Sequence, residues 1–491
     1  MLTPIAYLWT RTVPCPNPTC GATVPLVRQT WLRKKEGHYV ALQMIPDHET
    51  RKVRFEKVQS PTLKGLGFDP EEGSKRGNAT CLFCGAIVSV DYIKEQGQKK
   101  QISYQMIAIV ATKKEERGRF YLASTDIQNL IPNFNQIKSR IDELCTNMEL
   151  TAPEEPLPIR GTLGFRVQAY GILKWKELFT PRQLLALLIF VTEVQHVYGA
   201  ILEDAIEPDR ATAITTYLGM MVDRLAENLS TLCRWNAIAG KLQGTFGRQA
   251  LPMIWDFAET SPFGGSVGDA KSILLNISDI LKHLTSISKS GIVLRTTATS
   301  LPIKDNSIDA LITDPPYYDN VPYADLSDFF YVWLKRSIGF LYPEHLGGTL
   351  TPKRQEAVAE PSRYQGNMFE ARRVYENLMA QAFSEARRVL KSGAPLVCVY
   401  AHKTTLGWST LIEALRHAGF VITEAWPLDT ELSGRMRAQN SAALASSIFL
   451  VARRRESEET GDYVSQVRPQ LASIISERLD TLIGAGVTGA D

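Results

Sequence analysis

The stretch Ile308-Asp309-Ala310-Leu311-Ile312-Thr313-Asp314-Pro315-Pro316-Tyr317 constrains this chain more than any other. An apolar run of strand length stops at an acid, two prolines and two tyrosines, Tyr317 and Tyr318. Prolines cannot continue a hydrogen-bonded ladder, and the first of them restricts the preceding acid to extended geometry. The run predicts a buried strand over Ile308–Thr313 that delivers the Asp314 carboxylate to its mouth, beside an aromatic plate. Such a set suits the exocyclic amino group of a base turned out of its stack. The acid and a proline carbonyl accept its two N–H bonds, and the tyrosine stacks on the ring. A strand-end turn with incidental aromatics is the plainer reading; the coincidence of acid, double proline and aromatic weighs against it.

Seven cysteines are present, and four fall in two close pairs, Cys15-Pro-Asn-Pro-Thr-Cys20-Gly21 and Cys81-Leu-Phe-Cys84-Gly85. An odd total with paired spacing favours metal ligation over disulfides. Cys15, Cys20, Cys81 and Cys84 would complete a closed tetrahedral structural zinc site, each Cys-Gly turning backbone N–H groups toward the thiolates. The long segment between the pairs predicts an inserted hairpin or loop excursion, with turns at Gly65, Gly67, Gly73 and Gly77. Cys145, Cys233 and Cys398 are isolated and read as small hydrophobes. Pro14-Cys15 also matches the nucleophile dipeptide of cytosine-C5 methylases, but its place in a knuckle favours ligation.

At 491 residues the chain holds two to four domains, and 44% hydrophobic with 22% charged residues is ordinary for a soluble globular protein. The net charge of +3 carries no argument, although residues 1–100 hold 15 Lys and Arg against 9 Asp and Glu, compatible with phosphate contacts. The longest apolar run, Leu184 to Val191, is too short to span a bilayer. The first residues lack the build of a signal peptide. The expected setting is cytoplasmic, with no membrane.

Composition and periodicity divide the chain into five segments. Residues 1–95 read as a zinc ribbon with a long insertion, and 96–160 as a small strand-rich segment ending in a proline-rich linker (Pro153, Pro156, Pro158). Residues 161–290 read as a helical region, with helices over Arg182–Tyr198, Thr212–Asn236 and Asp269–Ser286. Residues 291–455 read as an α/β core, and 456–491 as a peripheral tail with a late helix. Within the core the expected order is strand Ile292–Thr296, strand Ile308–Thr313, helix Leu326–Ile338, helix Met368–Leu390 and strand Pro395–Tyr400. Helix Trp408–Ala418 follows, then Phe420–Trp426 and Ser446–Ala452 as a terminal antiparallel pair on an otherwise parallel sheet. Gly264-Gly265-Ser266-Val267-Gly268 has the letters of a G-x-S-x-G nucleophile elbow. That motif needs a buried strand before it, and Asp256–Pro262 does not read as one.

With these residues in place, the chain resembles the large adenine-specific DNA methylases that carry a zinc ribbon. The likeness includes Ala6-Tyr7-Leu8-Trp9, both cysteine pairs, Leu178-Phe179-Thr180-Pro181-Arg182-Gln183, Phe246-Gly247-Arg248-Gln249-Ala250 and Trp255-Asp256-Phe257-Ala258-Glu259. It continues through the run from Thr313 to Trp333. The resemblance implies a Rossmann-like methyltransferase sheet, S-adenosylmethionine as methyl donor, DNA as partner and an exocyclic base nitrogen as acceptor. Asp314, Pro315, Pro316 and Tyr317 then carry catalysis, and Tyr318, Asp319, Asn320 and Tyr323 close over the base or touch DNA. The Asp-Pro-Pro-Tyr form is commoner among N6-adenine enzymes, whereas N4-cytosine enzymes more often have Ser for the acid.

In that family a glycine-rich cofactor loop after a strand precedes the ribbon, whereas this chain starts at the ribbon. Gly65-Leu66-Gly67-Phe68-Asp69-Pro70 has suitable letters but lies between the knuckles. Near Thr297-Ala298-Thr299-Ser300-Leu301-Pro302, where family members often carry an acid before the Ala, this chain has Thr297. The expected fold is therefore an incomplete Rossmann-like methyltransferase sheet with an N-terminal zinc ribbon and a helical insertion. A separate N-terminal methylase subunit is expected to supply the cofactor loop. The competing reading is a zinc-ribbon DNA-binding protein on an inactive methyltransferase fold.

Overall fold

The computed structural model describes residues 2–74, 77–123, 133–265, 268–287, 289–318, 321–402, 404–428, 447–456 and 461–484. The chain is a mixed α/β protein in two compact units, Met1–Ser290 with Tyr323–Thr351, and Gly291–Pro322 with Pro352–Asp491.

In the first unit, β1 (Leu2–Pro14) pairs antiparallel with β2 (Thr23–Pro25) at its far end. Next come β3 (Trp31–Lys35), β4 (His38–Asp47) and β5 (Lys52–Ser60), a three-stranded antiparallel sheet where a hairpin or loop was expected. Its alternation buries Val40, Leu42, Val53 and Phe55 against Ile5 and Leu8 of β1. A small ribbon, β6 (Ala79–Thr80) and β7 (Ile87–Val88), brackets the second cysteine pair. It leads into α1 (Val90–Gln98), where Ser89 Oγ caps the Tyr92 N–H. Then follow β8 (Ser103–Lys113), β9 (Glu116–Ala123), α2 (Phe134–Asn147), α3 (Pro181–Glu203) and α4 (Pro208–Asn228). The unit continues with the ribbon β10 (Arg234–Asn236) and β11 (Lys241–Gln243), strand β12 (Asp256–Thr260), α5 (Ala270–Leu284), α6 (Tyr323–Ile338) and the short α7 (Pro343–Leu346).

One sheet, in the order β12-β1-β8-β9 with β2 on β1, draws strands from all three segments expected as 1–95, 96–160 and 161–290. This sheet thus runs across the boundaries expected at residues 95 and 160. The reason lies in β1: Ile5, Ala6 and Leu8 join one core cluster, and Trp9 joins another with Met106, Ile109 and Phe257. A strand apolar on both faces needs cover on both. The first unit runs to Ser290 and takes up residues 323–351 again.

One further expectation is corrected here. Asp256–Thr260 is a strand, almost wholly buried, although its two acids argued against one. Each acid has internal partners: Asp256 accepts from Thr10 Oγ1 (3.0 Å) and the Arg28 N–H (2.8 Å), and Glu259 pairs with Arg182 (2.6 Å). The strand ends at Thr260 while α5 begins only at Ala270, which is not the sharp turn of a nucleophile elbow; Ser266 lies outside the described residues. Helix α3 is 23 residues long with a stretch of mean hydropathy 1.7, long and apolar enough by those measures to cross a membrane, whereas the run Leu184–Val191 alone is not. Thr192, Glu193, Gln195 and His196 break the run without breaking the helix. Its Leu184, Leu187, Leu188, Val191 and Val194 are buried, and it packs on α2, α4 and α6.

Burial raises the Asp256 carboxyl from 3.8 to about 6. The folded chain then holds this proton more tightly than the unfolded chain. The stability contributed here is greatest below about pH 4 and falls as pH rises through about 6, by about 3 kcal/mol at most. Asp256→Asn is expected to flatten that slope in urea unfolding followed across this range; a slope identical to the parent's would rule the assignment out.

The second unit contains β13 (Leu311–Thr313), α8 (Met368–Val389), β14 (Leu396–Tyr400), α9 (Thr405–His417), β15 (Phe420–Leu428), β16 (Ser447–Arg454) and α10 (Arg468–Gly484). Its sheet runs β13-β14-β16-β15, with β13 parallel to β14 and the other pairs antiparallel. The expected antiparallel pair of last strands is present, with β16 lying between β14 and β15. Tyr375, Met379 and Phe383 of α8 and Leu411 and Leu415 of α9 pack on Leu396, Cys398 and Tyr400.

The strand expected over Ile308–Thr313 is shorter, Leu311–Thr313, preceded by a single bridge from Ile308 to Leu390. It is an edge rather than a buried strand, and Ile312 is 73% exposed. The expected strand Ile292–Thr296 is absent; Ile292 and Val293 are 89% and 95% exposed and no strand pairs with them. Strand propensity acts through cross-strand packing, and an apolar run without a neighbour gains nothing from extended pairing.

Candidate functional site

The four knuckle cysteines meet. Their sulfurs all lie within 4.8 Å of one another, with Cys15 Sγ 3.6 Å from Cys84 Sγ and Cys20 Sγ 3.8 Å from Cys81 Sγ. Thiolates about 2.3 Å from a tetrahedral ion lie about 3.8 Å from each other, so the spacing fits a bound metal. Two matching turns build the cluster. The Cys15 N–H donates to Ala22 O (2.8 Å) and the Cys81 N–H to Ala86 O (2.9 Å), while Gly21 and Gly85 take φ of +63° and +73°. Those left-handed positions are why glycine follows each second cysteine. Burial pushes the Cys15 thiol up to about 12, whereas the Ala86 backbone holds the exposed Cys84 thiol down at about 7. A cation drawing protons off the buried thiols would balance the set. Val13, Val24, Leu26, Val88 and Ile93 pack around it.

In the second unit Asp314 follows β13 directly and is exposed, while Pro315 is buried. Thr313 lies opposite Cys398, whose thiol is pushed up to about 12, first by burial and then by the Asp314 charge. The carboxylate thus stands beside the carboxyl end of β14. The turn after it is braced from α8 and β14. The Tyr375 hydroxyl donates to Pro316 O (2.9 Å) and accepts from the Tyr318 N–H (3.3 Å), and the Ala359 N–H donates to Tyr318 O (2.9 Å). Tyr318 is buried with φ of +30°, its ring edge-on to Tyr375 at 5.1 Å. A non-glycine residue there is strained, and the surrounding bonds hold it. Tyr317 is half-buried and meets Tyr400 edge-on at 5.2 Å. Tyr400 also touches His402 and Trp408, and Trp408 Nε1 donates to His402 O (3.0 Å).

Asp314, Pro315, Pro316 and Tyr317 therefore form one turn, with Asp314 exposed, at the carboxyl end of a parallel strand, where open α/β sheets bind ligands. Tyr318 is turned inward, Tyr323 opens α6 in the first unit at 51% exposure, and Asp319 and Asn320 lie outside the described residues. Sequence reasoning missed Tyr375, Tyr400, His402 and Trp408, which brace the turn from far along the chain. An isolated aromatic on a helix carries no signal of what it faces.

A separate cluster gathers three of the segments that carry the resemblance. The Glu259 carboxylate on β12, buried and held above the ordinary carboxyl range by that burial, pairs with Arg182 (2.6 Å) and accepts from Thr180 Oγ1 (3.1 Å). Arg182 lies 4.0 Å over the Tyr7 ring, and Gln183 completes a capping box with Thr180. These residues lock the start of α3 to β1 and β12, so their role is structural. In Thr297–Pro302, the Leu301 N–H donates to Glu385 Oε1 (2.7 Å) in a turn. Gly67 ends the short 3₁₀ turn Lys64–Leu66, which follows β5 and opens no α-helix.

No family model and no curated protein matches the chain. Among solved structures, one match is the [4+2]-cyclase SpnF, at 16% sequence identity and a TM-score of 0.19, covering 38% of this chain and 64% of that one. A likeness of that size carries no argument about fold or activity.

Proposed function

We propose that this chain is the base-holding part of an S-adenosylmethionine-dependent DNA methyltransferase of the zinc-ribbon adenine-specific family. Its acceptor is an exocyclic amino group, N6 of adenine in preference to N4 of cytosine. The observation that carries the reading is Asp314, exposed at the carboxyl end of β13 with Tyr317 beside it on a turn braced by Tyr375. The acceptor's lone pair is delocalised into the base ring. Donating its two N–H bonds to the Asp314 carboxylate and the Pro315 carbonyl would localise that pair and fix its direction. The Pro316 carbonyl already accepts from Tyr375 and Tyr318, which leaves Pro315 for the base. Orientation of this kind supplies on the order of 7–11 kcal/mol of a barrier. Acceptors placed where positive charge grows on nitrogen add to it. Stacking on Tyr317 holds the base, worth roughly 1–3 kcal/mol. Zinc at Cys15, Cys20, Cys81 and Cys84 would be structural, its four ligands leaving no open position.

S-adenosylmethionine, when bound, supplies an electrophilic methyl group. Among the described residues of the second unit, no glycine-rich loop between a strand and a helix leads into β13. We therefore assign cofactor binding to a second, N-terminal-type methylase subunit. The edge of β13, unpaired among the described residues, supports this: a parallel strand added there would end beside Asp314, and Ile312 is exposed on it. The same lack of a loop favours the second reading, a zinc-ribbon DNA-binding protein on an inactive methyltransferase fold.

Labelled-methyl incorporation separates the two. The chain is assayed with and without a co-encoded glycine-rich polypeptide, on duplexes with and without adenine. Incorporation that needs both polypeptides and adenine is expected. DNA binding with no incorporation under any combination, and no S-adenosylmethionine binding by calorimetry, would leave the inactive-fold reading standing.

A further inference from the structure

The end of the second sheet away from Asp314 carries a different surface. An open groove of about 620 Å³ is lined there by Arg387, Lys391, Arg454 and Arg455, with Asn306, Ser392 and Glu456. Lys391 and Ser392 precede β14, and Arg454 lies opposite Phe420, the first residue of β15. The five residues of β14 separate this end from the Asp314 turn by roughly 17 Å.

We propose that this groove binds the sugar-phosphate backbone of nucleic acid, at a point separate from Asp314. Its charge is the first ground. Four cations and one carboxylate line it; the carboxylate, Glu456, accepts from Ser392 Oγ, and Lys391 also pairs with Asp309 (2.5 Å). Two of the cations are poised rather than used. The Arg387 Nε is buried without a hydrogen-bond acceptor, and among the described residues no group pairs with the exposed Arg455 side chain. By contrast Arg454 is aimed by Leu390 O (2.8 Å) and Asn306, which fixes the groove's wall. Lining chemistry is the second ground. No aromatic or apolar side chain lines the groove, so a nucleobase would find nothing to stack on, while phosphate oxygens would find guanidinium forks. An open, wholly polar trough suits a continuous polyanion better than a free nucleotide, which buries its base in an apolar pocket.

The inference shares with the function proposed above only the identity of the partner, and it is tested by binding alone. A labelled duplex is titrated into the full chain by fluorescence anisotropy between about 50 and 200 mM salt. Arg387→Ala with Arg455→Ala is expected to weaken binding about tenfold at the low-salt end and to reduce the log–log salt slope by about 2, one per lost phosphate contact. Because Arg387 is partly buried, the surface reversal Arg455→Glu is measured beside it, with thermal melts on both; it should weaken binding in the same direction with an unchanged melt. Asp314→Ala should leave the slope as it is, so a chain without methyl transfer would still meet the expectation. Unchanged affinity and slope in both arginine variants would overturn the proposal. Loss of inorganic pyrophosphate binding by calorimetry, with duplex binding intact, would overturn it too, in favour of a small phosphate ligand.

Discussion

Asp314→Ala is expected to lower methyl transfer by about 10²–10³-fold, the loss that follows removal of one preorganised polar partner in other active sites. Binding of the duplex should change far less, because phosphate contacts dominate that affinity. The side chain is exposed and makes no hydrogen bond among the described residues, so stability should move by no more than about 0.5 kcal/mol. That separation gives the test its force. Single-turnover rates with the proposed second subunit present, thermal melts and duplex affinity are measured together. Asp314→Asn keeps shape and one acceptor oxygen but not the charge, and should fall between parent and alanine variant. Equal rates for parent and Asp314→Ala would remove the turn from the chemistry and leave the protein a binding module.

The second large effect belongs to the cysteines. Cys81→Ser should abolish stoichiometric zinc and lower Tm by about 10 °C or more, since a structural zinc site contributes folding free energy directly. Cys81 is 1% exposed and sits among Val13, Val24, Leu26 and Val88, so a vacated site would leave unmatched thiols inside a small core. Val13 is on β1, which passes the disturbance to the central sheet. Cys145→Ser serves as the control and should keep both metal and Tm. Metal content by atomic emission and melts with and without a chelator check this; a parent protein that carries no metal and ignores the chelator would refute the assignment.

The parts of this fold legible in the sequence are those whose cause is local. Helix α8 could be bounded because Asn367 caps its start and Lys391-Ser392-Gly393 follows its end. The cysteine turns could be read because Cys-Gly spacing is itself the geometry. Strand β12 could not, since the partners that let Asp256 and Glu259 sit inside come from Thr10, Arg28, Thr180 and Arg182, far off in the chain. Strand β13 was overdrawn for the opposite reason. Its apolar letters fit an inner strand, and only pairing reveals that one side has no neighbour among the described residues. At the site, Asp314 and Tyr317 stood out in a contiguous motif, whereas Tyr375 could be found only once α8 was laid against the turn.

The route of the backbone through the first sheet has a consequence for synthesis. β1 lies between β8 and β12, so the strand made first is also the strand that waits longest, until residues 256–260 have emerged. Closing so wide a loop is a slow, non-local step, and the edge of β1 that β12 will cover is meanwhile open to wrong partners, although β2 and β8 can already pair with the strand. Helix α6 prolongs the wait, because it joins the same unit only after the chain has passed through Asp314. The Asp314 turn is therefore synthesised before the unit on either side of it in sequence can finish folding.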